Sequence, residues 1–326
     1  MPIILNSSYE KPRVLFNRHL ETIIPGLLRK VEPRTKYKRE RIDTPDGDFL
    51  DLDWVSQASD KLVILSHGLE GDSQRPYIKG MVKAFSENGW DALAWNFRGC
   101  SGKTNRTRIF YHSGATYDLE TVIKHAVKKG YGRIVLVGFS LGGNLTLKYL
   151  GEPTTEKFEE VKQAAVFSVP LDLAGCSREI DKPHNLLYAN RFLRSLKKKV
   201  NAKKQLLNGA FDFGSLDSIG SIYDFDDQLT APLHGFGGAD HYYETCSSRN
   251  FLNSIKIRTL VVNAQNDPFL SDTCLDTRLF EKSECVFFES PKFGGHVGFS
   301  SYNGSNMYWS EKRALEFINE EMEKYD

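Results

Sequence analysis

From Lys61 onward, short apolar runs and amphipathic stretches take turns along the chain. Leu62-Val63-Ile64-Leu65, Asp91 to Trp95, Ile134-Val135-Leu136-Val137, Ala164 to Val169, Thr259-Leu260-Val261-Val262 and Cys285 to Glu289 are compact and mostly apolar. Runs this continuous fit strands covered on both faces. Between them, Pro76 to Asn88 reads as a helix, and Leu119, Val122, Ile123, Ala126 and Val127 fall at i, i+3, i+4, i+7 and i+8, one helical stripe. A helix-like stretch from Leu141 to Leu150 is stopped by Gly151 and Pro153, and Ala314, Leu315, Ile318 and Met322 mark a closing helix. The alternation predicts an α/β fold with a mostly parallel, doubly wound sheet. Upstream, Lys36 to Asp43 and Phe49 to Val55 flank Pro45-Asp46-Gly47-Asp48, which predicts an antiparallel N-terminal hairpin at one edge.

The alternation breaks between about Leu171 and Ser254, a long and mostly polar stretch between two strands. A structureless loop of that length does not suit a compact domain. The expectation is one domain over 1–326 with an inserted helical cap at 171–254, lying above the C-terminal edge of the sheet. Scattered apolar residues there (Leu186, Leu187, Phe192, Phe211, Phe213) would roof a pocket of limited length. The basic run Arg194 to Lys204, with five lysines, reads as a solvated cap face; contact with an anionic membrane surface or a phosphate-bearing substrate is the alternative.

Composition narrows the class. The chain has 326 residues, 40% of them hydrophobic, enough for a substantial core, and a formal net charge of +1 gives no reason to expect nucleic acid as a partner. Its five cysteines (Cys100, Cys176, Cys246, Cys274, Cys285) show no metal-ligand spacing and are odd in number, which suits reduced thiols. Pro2-Ile3-Ile4-Leu5 is too short for a signal-peptide core, and no apolar run has the length of a membrane span. These features predict a soluble cytoplasmic protein without metal or cofactor and without stable membrane insertion. The oligomeric state stays open.

The chemistry begins at Gly138-Phe139-Ser140-Leu141-Gly142, where an apolar strand runs directly into a helix. A serine on such a turn is held in a strained conformation that lifts its hydroxyl out of the chain. Glycines keep the strand and helix from colliding, and the helix aims free N–H groups at the same point. A serine hydroxyl needs a histidine base, and the imidazole needs an orienting carboxylate. Four histidines follow Ser140, and only His296 lies in a glycine-rich loop after a strand, Gly294-Gly295-His296-Val297-Gly298. Asp267 follows the strand ending at Val262, the edge where open α/β sheets gather their chemistry. Asp172, after the preceding strand, is the alternative acid.

An acyl-transfer site also needs an oxyanion hole. The expected donors are the backbone N–H groups of Leu141 and of Leu69, the latter in His67-Gly68-Leu69 after an earlier strand. One such donor is worth about 2.7–4 kcal/mol in the transition state. Two further patterns compete. Gly102-Lys103-Thr104 resembles the end of a phosphate loop, but Phe97 stands where that motif needs glycine. His67 to Asp72 has the H-x4-D spacing of glycerolipid acyltransferases, in which His67 would be the base and Ser140 dispensable.

Taken together, the segments Asn17-Arg18-His19-Leu20-Glu21-Thr22, Asp46 to Trp54, His67 to Gly71, Asn96 to Gly102, Tyr111 to Gly114, Gly138 to Gly143 and Gly294 to Phe299 resemble the α/β-hydrolase superfamily, specifically its YheT-like branch. The resemblance spans nearly the whole chain, and the Arg98-Gly99-Cys100-Ser101-Gly102 loop is its most telling part. It implies the α/β-hydrolase fold, a cytoplasmic carboxylesterase activity, eukaryotic relatives acting on phospholipids and acylglycerols, and Ser140, Asp267 and His296 as the triad. For the His19 segment the default is a structural role wrapping the sheet, and His112 and Cys100 are expected to brace the loop near the site. The expected function is a metal-independent serine esterase acting on a small-molecule ester of short to medium acyl chain. An acylglycerol lipase, phospholipase or acyltransferase on lipid-like esters is one alternative, and a non-enzymatic binding member of the fold is another.

Overall fold

A computed structural model describes residues 3–32, 36–207, 209, 213–302 and 306–320. Among these residues nine strands form one sheet: β1 (Ile3–Ile4), β2 (Lys38–Asp43), β3 (Phe49–Val55), β4 (Lys61–Ser66), β5 (Asp91–Asn96), β6 (Arg133–Phe139), β7 (Val161–Phe167), β8 (Arg258–Val262) and β9 (Val286–Glu289). Their spatial order is β1-β9-β8-β7-β6-β4-β5-β3-β2. From β1 to β5 every pairing is parallel, and only β5–β3 and β3–β2 are antiparallel. The predicted hairpin is therefore the sheet's own edge. The two-residue β1 carried no pattern to announce it. β7 begins at Val161 and ends at Phe167, both earlier than the apolar run suggested, and it takes in buried Gln163, a polar residue that interrupts the apolar pattern.

The helices are α1 (Arg18–Leu28), α2 (Pro76–Glu87), α3 (Thr116–Lys128), α4 (Leu141–Gly151), α5 (Leu173–Ile180), α6 (Leu186–Ala202), α7 (Ile222–Phe225), α8 (Ala231–Leu233), α9 (Ala239–Cys246) and α10 (Trp309–Asn319). Successive strand residues point to opposite faces, and the core divides accordingly. Leu62, Ile64, Leu93, Ile134 and Leu136 pack on one face against Leu119, Val122 and Ile123 of α3 and Leu145 of α4. Val63, Leu65, Ala92, Val135 and Val137 pack on the other against Met81 and Phe85 of α2 and Ala314 and Ile318 of α10. Each side chain fully buried in this way stabilises the fold by about 1.5–3 kcal/mol. Phe211 and Met322, and the side chain of Phe213, lie outside the described residues.

Between β7 and β8 the described residues form helices and turns without a strand, from α5 through α9 and two short 3-10 turns ending at Ser254. This segment has small cores of its own, one around Leu193, Val200, Ile222, Phe225 and Leu229, another around Leu173, Tyr242 and Tyr243. The basic run, expected to be a solvated face, is only partly so. Lys203 is 1% exposed, and its ammonium donates to the carbonyls of Thr107 and Ile109 at 2.8 and 2.7 Å. Burial pushes that ammonium down to about 7. Helical periodicity explains the difference, since Lys199 and Lys203 are four apart and face inward together. Leu186 and Leu187, expected to roof the pocket, are 48% and 84% exposed and point away from it.

Candidate active site

Parallel pairing brings the C-terminal ends of β4, β6, β8 and β9 to one edge, and the residues singled out in the sequence follow those ends. Ser140 comes directly after β6 with φ 52° and ψ −122°. A non-glycine residue there is strained by about 1–3 kcal/mol, and its surroundings hold it. The Ser140 N–H donates to the Phe167 carbonyl at 2.9 Å, and the Ser140 carbonyl accepts from Gly143 and Asn144. A Cβ on Gly138 would lie 2.6 Å from the Gly142 carbonyl oxygen, and one on Gly142 would lie 2.4 Å from that of Ser66. The two glycines are what let β6, α4 and β4 approach so closely.

His296 Nε2 lies 3.0 Å from Ser140 Oγ, and its Nδ1 lies 2.9 and 3.1 Å from the two oxygens of Asp267. A carboxylate only accepts, so Nδ1 carries the proton and the Nε2 lone pair faces the hydroxyl. Asp267 is buried and also accepts the Phe269 N–H at 2.9 Å. The alternative acid is engaged elsewhere: Asp172 caps α5 through the Gly175 N–H, accepts from Thr273 Oγ1 at 2.7 Å and pairs with Arg249 at 3.0 Å.

Leu69 and Leu141 both line the cavity beside Ser140, and neither N–H has a partner among the described residues. A Cβ on Gly68 would sit 3.1 Å from Ser140 Cβ, so the loop after β4 lies against the serine. His67 of that loop is fully buried. Its Nδ1 donates to the Gly68 carbonyl at 2.8 Å, and its Nε2 accepts the Phe97 N–H at 3.1 Å. Burial lowers this imidazole to about 3. Both nitrogens are committed to backbone, and Asp72 is turned to Gln74 N–H and Arg75 instead. The H-x4-D pattern is not assembled as a dyad.

The His19 segment does more than wrap the sheet. Asn17 caps α1 by accepting from the His19 and Leu20 N–H groups. One turn later, Glu21, 1% exposed, accepts from the Gly294 N–H at 2.7 Å and from Asn266 Nδ2 at 2.9 Å, while Asn266 Oδ1 accepts the Gly295 N–H. Thr22 Oγ1 accepts the His296 N–H at 2.9 Å. Burial pushes the Glu21 carboxyl up, against these hydrogen bonds. Sequence reasoning gave Glu21, Thr22 and Asn266 no role. The available signal was the glycine run around His296, which marks a close approach by something else: a Cβ on Gly298 would meet the Glu21 carbonyl oxygen at 2.2 Å.

Ser140 opens into a cavity of about 510 Å³, within the range that holds a drug-sized ligand. Its lining near the helical segment includes Leu173, Ile180, Phe192, Phe225, Leu229 and Phe269, while Ile23, Pro25, Leu27 and Pro76 flank another side. Phe269 packs on the His296 ring with centroids 4.4 Å apart. Of the two expected braces, His112 accepts the Gly114 N–H through Nδ1, and Cys100 lies 3.0 Å from Lys199 Nζ. Among the described residues no group of three or more His, Cys, Asp or Glu is placed to hold a metal ion. Nor is any helix among them long and apolar enough to cross a membrane.

Comparison with known proteins places the chain in a family. The family described as alpha/beta hydrolase fold matches residues 61–298. The chain is 34% identical over 316 residues to the Escherichia coli (strain K12) protein named "Putative esterase YheT", covering 93% of this chain and 90% of that one. It is 32% identical over 282 residues to Phospholipase ABHD3 of Bos taurus, covering 82% and 67%. An esterase of Pyrococcus furiosus, Pf2001, shares the fold at TM-score 0.59 and 18% identity, over 90% of this chain and 96% of that chain.

Proposed function

This chain belongs to the α/β-hydrolase family, in its YheT-like branch, and on that footing we propose that it is a serine carboxylesterase working through an acyl-enzyme on Ser140. The observation that carries the reading is the unbroken Asp267–His296–Ser140 hydrogen-bond chain beside two amides that have no partner among the described residues. Ser140 Oγ attacks the ester carbonyl carbon while His296 Nε2 takes its proton. The carbonyl oxygen, now negative, receives the Leu69 and Leu141 N–H groups. Asp267 stays ionised and steadies the imidazolium. The C–O bond then breaks, and His296 gives its proton to the departing alcohol oxygen. Water, deprotonated by His296, attacks the acyl carbon in turn, releasing the acid and restoring Ser140.

The helical segment 171–254 serves in this reading as a cap that bounds the acyl arm. The cavity lining also carries Asp226, Thr230, Tyr243 and His234, polar groups against which a lengthening alkyl chain gains less than against a wholly apolar wall. Short to medium acyl chains fit that lining, and the partner is a small-molecule ester. Five free cysteines suit a reduced, cytoplasmic setting. Lipid-like esters are the second reading, favoured by the relatives named Phospholipase ABHD3 and Monoacylglycerol lipase ABHD2.

A fluorophosphonate probe tests the mechanism. It should label the protein once, at Ser140, and Ser140→Ala should abolish labelling. Labelling that persists in the alanine variant overturns the assignment.

A further inference from the structure

Between His67 and Gly71, the loop after β4 is held by several hydrogen bonds from outside its own backbone. The Gly68 N–H donates to Tyr77 Oη at 3.1 Å, and the Gly68 carbonyl accepts the Gly71 N–H at 3.0 Å. Glu70 is the most tightly held. Its N–H donates to Tyr111 Oη at 2.9 Å, and its carbonyl accepts from Arg75 at 2.7 Å. Tyr111 Oη donates back to Glu70 Oε1 at 2.7 Å, where Lys199 Nζ also arrives at 2.7 Å, and Ser195 Oγ donates to Oε2. The backbone of Glu70 is at φ 52°, the left-handed region that a side chain resists. The Leu69 N–H, one residue earlier, has no partner among the described residues. Ser195 and Lys199 are four residues apart on α6, the long helix of the cap, so one helix face grips this carboxylate.

We propose that Glu70 is a positioning residue: it ties the oxyanion loop to α6, so that the Leu69 amide is aimed at the developing oxyanion only while the cap is seated. This rests on the serine-esterase reading above. A strained residue persists only where its surroundings over-determine it, and here the cap side of those surroundings is the Lys199 and Ser195 pair. Cap seating and transition-state stabilisation become one event, without any cap residue touching the reacting carbonyl.

The test uses the full chain, active sites titrated with a fluorophosphonate, a soluble short-chain ester, and an alkyl boronic acid whose Ser140 adduct places an oxygen at the oxyanion position. Lys199→Met combined with Ser195→Ala leaves Glu70 in place and should lower kcat at least tenfold, toward the roughly 10²–10³ lost with a whole donor. KM should stay within about twofold, and boronate affinity should fall by the same factor as kcat. Lys199→Arg keeps the ion pair and should restore most of kcat. Glu70→Gly supplies the positive φ without the grip, and should be as slow as the double variant. A merely structural role would lower the titrated site count while leaving kcat per site intact. Normal kcat per site with unchanged boronate affinity in the double variant or in Glu70→Gly overturns the proposal. Absence of labelling in the wild type would instead overturn the esterase reading itself.

Discussion

Replacing Asp267 by asparagine isolates the contribution of imidazole orientation, and the structure dictates how the amide must sit. Asp267 Oδ1 receives the Phe269 N–H at 2.9 Å, so the amide oxygen has to take that position. The amide NH2 then occupies the place of Oδ2, 2.9 Å from His296 Nδ1. The retained oxygen at Oδ1 is the farther atom, 3.1 Å from Nδ1 and already taken by Phe269. The nearer NH2 therefore turns Nδ1 into the acceptor, and the ring proton moves to Nε2, 3.0 Å from Ser140 Oγ. The base is blocked by its own proton while every heavy atom keeps its position. An inversion of this kind in a Ser-His-Asp triad lowers kcat by about 10⁴, equivalent to about 5.4 kcal/mol of barrier. Initial rates on a p-nitrophenyl ester, with thermal unfolding to confirm the fold, measure it. KM should change little, because Asp267 is not among the residues that line the cavity. A loss below tenfold in a folded Asp267→Asn protein would refute the reasoning, as would a larger loss in Asp172→Asn.

Gly298→Ala should slow turnover by about 10²-fold with the fold retained, since its Cβ would press on the Glu21 and Gly294 carbonyl oxygens at 2.2 and 2.4 Å and shift His296; Thr22→Val should act in the same direction, and wild-type kcat in both would dismiss the N-terminal support. Arg98→Met should destabilise by about 3–5 kcal/mol in denaturant melts, because Arg98 is 2% exposed and pairs with Asp46, Asp48 and Asp118 at 2.6, 3.1 and 2.7 Å. Burial opposes ionisation of Asp48, but hydrogen bonds from Asn105, Arg106 and Thr107 outweigh it and hold the carboxyl at about 2. A depressed acid stabilises above its unfolded value, so its share of stability should be lost as pH falls from about 4 through about 2; a flat profile there would refute this. Acyl-chain series should peak at short to medium lengths, and a steady rise in kcat/KM to palmitoyl would contradict a bounded arm. Asp72→Asn should leave ester turnover within a fewfold of wild type while Ser140→Ala removes it, and the opposite pattern would revive the H-x4-D mechanism.

The sheet was legible because strands covered on both faces are apolar without interruption, and Leu62 to Leu65 or Ile134 to Val137 leave little else to choose. That Ser140, Asp267 and His296 would meet was legible for a topological reason. Parallel strands share one C-terminal edge, so a residue just past a strand is near every other residue just past a strand. The helical segment was harder. Its periodicity announces helices but not which face is inside, and so Lys203 was assigned to solvent while Leu187 was assigned to the pocket. Glu21 and Asn266 lie 245 residues apart. Their pairing depends on where α1 crosses the sheet edge, and local pattern carries no information about that. The short β1 illustrates the same limit, since a two-residue strand is defined by its neighbour β9 rather than by its own sequence.

The backbone itself marks the candidate site independently of any side-chain chemistry. Ala58 and Asn306 apart, the non-glycine residues described at positive φ are Glu70, Ser140, Ser168, Val297 and Phe299. All of these lie in the loops that follow β4, β6, β7 and β9. A β-branched residue such as Val297 is a genuine outlier there. Each is held by a hydrogen bond from its own N–H: Glu70 to Tyr111 Oη, Ser140 to the Phe167 carbonyl, Ser168 to the Val262 carbonyl, Val297 to Ser168 Oγ, and Phe299 to the Gly294 carbonyl. At about 1–3 kcal/mol apiece, these conformations would relax in isolation, and they persist because the strand ends and their loops brace one another. Ser168 shows the coupling most directly, being strained itself while its hydroxyl fixes the residue after His296. The geometry at this edge is thus a property of the packed sheet, which is why Gly298→Ala, or Lys199→Met with Ser195→Ala, is expected to register in kcat rather than in substrate affinity.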